Sequence, residues 1–114
     1  MNRESPIPFC DHPGFIPDHE LEQVAKVAKC IKPNSNFVEV GTLLGRSARA
    51  WYYNSDATVN ITLVDNFIFD YEDQDIDWLY GNKELVRTAI ETSKQQKNPV
   101  RSVPRTLQGF YTGR

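Results

Sequence analysis

The chain has 114 residues, 39% hydrophobic and 25% charged, with a formal net charge of -2. That balance describes one small globular domain with a modest core and excludes a disordered or fibrous chain. It supplies no global positive field for nucleic acid or an anionic membrane, and no apolar run approaches the ~20 residues of a membrane helix.

The opening Met1-Asn2-Arg3-Glu4-Ser5-Pro6 lacks the apolar stretch of a secretory signal, so the expected location is cytoplasmic. Pro6, Pro8, Pro13, Gly14 and Pro17 punctuate residues 1–17 and predict an extended N-terminal arm rather than a regular element. Cys10 and His12 lie in this arm and read as part of a polar loop, because two metal-type side chains without a second pair do not make a metal site. No metal is expected. Residues 18–114 then form the domain proper.

Asp18 follows Pro17 and reads as an N-cap. Leu21, Val24, Ala25, Ala28 and Ile31 follow at helical spacing, which places Cys30 on the same helix as a buried thiol rather than half of a disulfide. Lys32-Pro33 and Asn34-Ser35-Asn36 end the helix in a turn. Phe37-Val38-Glu39-Val40 reads as a strand covered on both faces. After Gly41-Thr42-Leu43-Leu44-Gly45, a helix is expected from Arg46 to Tyr53, with Ala48, Trp51 and Tyr52 packed inward. Val59 to Val64 reads as the second strand, closed by Asp65.

Residues 66–80 are acidic and aromatic and read as an ordered loop. Their Asp70, Asp73, Asp75 and Asp77 lack the glycine and terminal glutamate of a calcium loop. Asn82 can cap a third helix reaching Gln96, with Leu85, Val86, Ala89 and Ile90 buried. Val100 to Val103 reads as a third strand. Lys97, Arg101, Arg105 and Arg114, with Phe110 and Tyr111, read as ordinary surface rather than a single-strand nucleic-acid site. Alternating helices and strands predict an α/β fold with a Rossmann-like parallel sheet of about three strands, flanked by helices.

The chemistry-bearing segment runs from Phe37 to Ser47. A strand leads into two glycines and then a helix. A glycine at a strand exit permits a tight turn, and a second lets backbone approach a ligand that a Cβ would push away. The helix start offers N–H groups to ligand acceptors. Asp65, 20 residues beyond Gly45, stands at the carboxyl end of the next strand, where an acid can accept hydrogen bonds from ribose hydroxyls. The spacing does not fit a P-loop, since three residues separate Gly41 and Gly45 and Arg46 replaces the lysine. Leu43 occupies the place of the middle glycine of a dinucleotide loop, which argues against a pyrophosphate and for a cofactor without phosphates.

On these residues the chain resembles class I S-adenosylmethionine-dependent methyltransferases. Val38 to Ser47 is similar to their first motif, and Ile61-Thr62-Leu63-Val64-Asp65-Asn66-Phe67 to their second, in the form closest to small-molecule O-methyltransferases. The resemblance implies S-adenosylmethionine as cofactor and a small-molecule oxygen as methyl acceptor. It implies Glu39 beneath the methionine end and Gly41, Thr42 and Gly45 beside methionine and ribose. Ser47 would begin the helix, Asp65 would bind the ribose hydroxyls, and Asn66 and Phe67 would flank adenine. The family's sheet is larger than the strands found here, so the resemblance implies a cofactor-binding half: a fragment, a truncated product, or a half that completes its sheet as a homodimer. No general base is assigned, and neither His12 nor His19 is expected to act as one. The alternative is a non-catalytic Rossmann-like binding or assembly module; another nucleotide as ligand is a third reading.

Overall fold

The computed structural model describes residues 8–41, 44–65, 77–93 and 100–102. The elements in chain order are a 3-10 turn Phe9–Asp11, α1 Asp18–Ala28, β1 Asn36–Val40, α2 Arg46–Asn54, β2 Asn60–Val64, α3 Lys83–Ser93 and β3 Val100–Ser102.

α1 begins one residue earlier than its cap signal suggests. Pro17 holds the cap position, and Asp18 is the first helical residue, where its charge and that of Glu20 suit the positive end of the helix. Leu21, Ala25 and Ala28 form its buried stripe, and the helix packs against α2. Cys30 falls past the helix end and is an exposed free thiol, not the buried one that the extended helical pattern predicts. The structural reason is that the chain leaves the helix after Ala28, with Cys30 and Ile31 held in tight turns by bonds to the Val27 and Ala28 carbonyls.

β1 and β2 are parallel neighbours joined through α2, with Phe37 opposite Ile61, Glu39 opposite Leu63 and Val40 opposite Val64. One face of this pair carries Phe37, Ile61 and Leu63. It packs against Ala48 and Trp51 of α2 and Val86, Ala89 and Ile90 of α3, in a cluster that also takes in Leu44, Val59 and Leu79. Phe37 and Trp51 stack at 4.6 Å between ring centroids. The other face differs from expectation. Val38 and Val40 are 57% and 78% exposed, so β1 is covered on one side only. Both packed helices lie against the Phe37 side, and alternation sends the even-numbered side chains the other way.

The third strand corrects the expected all-parallel sheet. β3 lies beside β2 in the order β1-β2-β3, but antiparallel, with Val64 opposite Val100 and Thr62 opposite Ser102. Alternating elements establish which strands are neighbours. They do not set the direction of a short strand at the sheet's edge, where α/β sheets commonly accept an antiparallel member.

The described part of the arm, residues 8–17, packs onto the rest of the fold. It contains the 3-10 turn and a bridge in which Gly14 and Tyr80 exchange backbone hydrogen bonds at 3.2 and 2.7 Å. His12, Pro13 and Gly14 are buried. The turn at Gly81 has φ +106°, and a Cβ there would lie 2.9 Å from the Asp11 and His12 carbonyl oxygens, so this contact requires glycine. No helix among the described residues is long and apolar enough to cross a membrane.

Candidate functional site

The site lies where β1 and β2 end. Their register brings Val40 beside Val64, and the chain turns out of β1 at Gly41, whose N–H donates to the Val64 carbonyl at 2.7 Å. Asp65 follows that carbonyl directly and is half-buried. Gly41 and Asp65 are thus neighbours across adjacent strand ends, as a crevice between them demands. Gly41 has φ +80°, and a Cβ built on it meets nothing within 4 Å. The glycine is required by the turn and leaves open space above it.

Gly45 ends the loop with φ 91° and occupies the cap position of α2 without a side-chain cap. Ser47, in the first turn of α2, donates its hydroxyl to Glu39 Oε2 at 2.7 Å. This bond joins the acid of β1 to the helix beyond the loop, so both ends of the loop are fastened. Gly41, Gly45, Glu39, Ser47 and Asp65 therefore gather at one end of the parallel pair. Thr42, Asn66 and Phe67 lie outside the described residues, as do Lys97, Arg105, Arg114 and most of the acidic segment.

Two residues near the loop have larger roles than the sequence suggested. His12 is fully buried, not part of a polar surface loop. Its Nε2 lies 2.6 Å from the Leu44 carbonyl oxygen. That oxygen only accepts, so Nε2 carries the proton. Burial, with Arg49 and Arg46 nearby, pushes the imidazole down to about 3, although the Leu44 bond acts the other way. His12 is therefore neutral at physiological pH, with its proton already engaged. The second residue is Arg46, 2% exposed. It donates to the carbonyls of Ile16 at 2.5 Å and His12 at 2.8 Å, to the Cys10 carbonyl, and to the Asp18 carboxylate. Its guanidinium also sits 5.7 Å from the Tyr80 ring centroid.

A signal for Arg46 exists in the sequence. A cation at the first position of a helix opposes the helix dipole, and such a local violation points to a compensating partner. Here the partners are Asp18 and three carbonyls. His12 carries no such signal, because its burial depends on the arm folding back. Burial and Asp18 push the Cys10 thiol up, and among the described residues no group of three or more His, Cys, Asp or Glu side chains could hold a metal ion.

Chemically, the arrangement offers a turn open to a ligand's approach, an uncapped helix start and a carboxylate beside them. Compared with known proteins, the chain matches no family model, no curated protein and no solved structure.

Proposed function

We propose that this chain is the S-adenosylmethionine-binding portion of a Rossmann-like methyltransferase that acts on a small-molecule oxygen. The observation that carries the reading is the adjacency of Gly41 and Asp65 at the ends of parallel neighbours, with open space over Gly41. A nucleoside has two features that this pair suits. Its ribose diol can donate to both oxygens of one carboxylate, the role of Asp65. Its bulk needs a turn without a side chain, the role of Gly41. Glu39 and Ser47 keep the strand end and helix start in register, and Thr42 and Gly45 complete the loop. Asn66 and Phe67, next after Asp65 in the chain, would flank the base.

When bound, the cofactor supplies a methyl group on a sulfonium. The residues of this chain bind and orient it, and catalysis by such a unit comes mainly from holding donor and acceptor in line. His12 is not assigned as general base, because it is fully buried and burial suppresses its basicity.

Titration calorimetry with S-adenosylmethionine, S-adenosylhomocysteine and NAD tests the proposal. The first two should bind and NAD should not. Asp65→Ala should weaken S-adenosylhomocysteine by about 1–3 kcal/mol, the loss expected for a charged acceptor. Unchanged affinity in this variant would overturn the ribose role.

A second reading, a non-catalytic assembly module, draws on the exposed Val38 and Val40 beside the outer edge of β1. Pairing of two copies along β1 would complete the sheet. Sedimentation that shows a dimer in a chain that binds no adenosyl ligand would favour it.

A further inference from the structure

The loop between Gly41 and Gly45 is held by a second device, one that the cofactor reading does not use. His12 donates Nε2–H to the carbonyl of Leu44, the last residue before Gly45. Arg46, the first residue after Gly45, is fastened to Cys10, His12, Ile16 and Asp18. Gly14 lies so close to α2 that a Cβ on it would stand 2.6 Å from Arg46 Cβ. On its other side the same segment is tied to residues 80–82, by the Gly14–Tyr80 pair and by Asn82 N–H donating to the Asp11 carbonyl at 2.9 Å.

We infer that residues 8–17 form a brace that positions the cofactor loop, with His12 and Arg46 as positioning residues that do not touch the ligand. The inference rests on the proposed adenosyl site. Its physical basis is the kind of interaction used. Burying an imidazole and a guanidinium is a poor route to stability, because well-packed apolar groups of similar volume do as well or better. What fixed donors add is direction. Arg46 presents N–H groups in a rigid fork, and here they meet carbonyls from both sides of the His12 turn. His12 then reaches back to Leu44. The residues on either side of Gly45 are each locked to the arm, which holds that glycine at its positive φ and sets where α2 begins.

The test uses the full chain and S-adenosylhomocysteine. Four proteins are compared: wild type, His12→Leu, His12→Gln and Val59→Ala. Leucine removes the donor to Leu44. Glutamine can place an amide N–H near the position of Nε2. Val59 is 2% exposed and just precedes β2, at the opposite end of that strand from Gly41, and serves as a destabilised control. His12→Leu should weaken binding about tenfold or more, glutamine should restore most of it, and Val59→Ala should bind as wild type despite a lower melting temperature. Amide exchange at Arg49, whose N–H donates to the Gly45 carbonyl at 3.0 Å, should accelerate in His12→Leu and not in Val59→Ala.

Equal binding by His12→Leu and wild type, or equal losses in His12→Leu and Val59→Ala, would overturn the brace. So would unchanged exchange at the Arg49 amide. Should the leucine variant not fold, His12→Asn replaces it, since its shorter amide falls short of the Leu44 oxygen. A wild-type chain that binds no adenosyl ligand would sink the cofactor reading instead, and the exchange measurement would still judge the brace.

Discussion

His12 and Arg46 illustrate how a polar side chain gains a structural role through the backbone that surrounds it. The pH dependence of stability follows from the first. An unfolded imidazole takes its proton near 6.5, whereas the buried one takes it only near about 3. Between those values the unfolded state binds more protons, so acid favours unfolding. The neutral histidine's contribution is complete above about 6.5 and is lost progressively as the pH falls toward about 3. The loss is on the order of a few kcal/mol. The carboxyl of Asp56, held down to about 2 by the Thr58 hydroxyl and N–H, gives way only below its ordinary range. Urea midpoints between pH 6.5 and 4 should therefore fall in the wild type and stay nearly level in His12→Gln. Gly41 yields a different expectation. In Gly41→Ala the Cβ meets no neighbour, so the strain of positive φ costs only about 1–2 kcal/mol. The chain should stay folded by circular dichroism while the methyl occupies the ligand's space and lowers S-adenosylhomocysteine affinity at least about tenfold. The glycine turn and Asp65 were legible as residues because their chemistry is local to strand ends. His12 was not, because its environment is assembled from positions 32 residues away.

At the level of elements, pattern and structure agree where a signal is carried by side chains within one turn. Asn82 is the clearest instance. Its Oδ1 accepts from the N–H groups of Glu84 at 3.0 Å and Leu85 at 3.3 Å, which is the cap that its position before Lys83 predicts. Asn82→Ala should cost about 1 kcal/mol in chemical denaturation, and Asn82→Asp should cost less, since the carboxylate still caps. Helix α2 and strand β2 likewise fall within a residue of their expected bounds, and the expected helix residues Ala48, Trp51 and Tyr52 all belong to the core cluster or pack against it. Asp18 departs from its expected cap role: it is the first helical residue, and its carboxylate accepts from Arg46. The direction of β3 and the bare face of β1 were not legible, for a common reason. Both depend on what lies on the far side of an element, and the element's own apolar pattern does not record that. Val38 and Val40 read as buried by composition and are exposed by position.

For the whole molecule, the arm is the part whose standing changes most. As a proline-rich stretch it reads as an extended arm rather than a regular element. In the fold it closes a circuit: the loop before α2, the arm, and the turn before α3 are tied in that order through Leu44–His12, Arg46–Cys10 and Asn82–Asp11. A chain that starts at Asp18 therefore loses more than exposed contacts. Arg46 would keep Asp18 but lose three carbonyl acceptors. The Leu44 carbonyl would lose its donor, and Tyr80 its backbone partner. Each unsatisfied buried group costs about 1–3 kcal/mol, though water entering the vacated space recovers part of that. Several such losses together approach the whole stability of a small domain, about 5–15 kcal/mol. The truncated chain should thus show no cooperative melting transition, or one lowered by well over about 10 °C. Adding a synthetic peptide of residues 8–17 in excess should raise the midpoint as it refills the groove. A truncated chain that melts like the full one would show that the arm is carried by the domain rather than built into it.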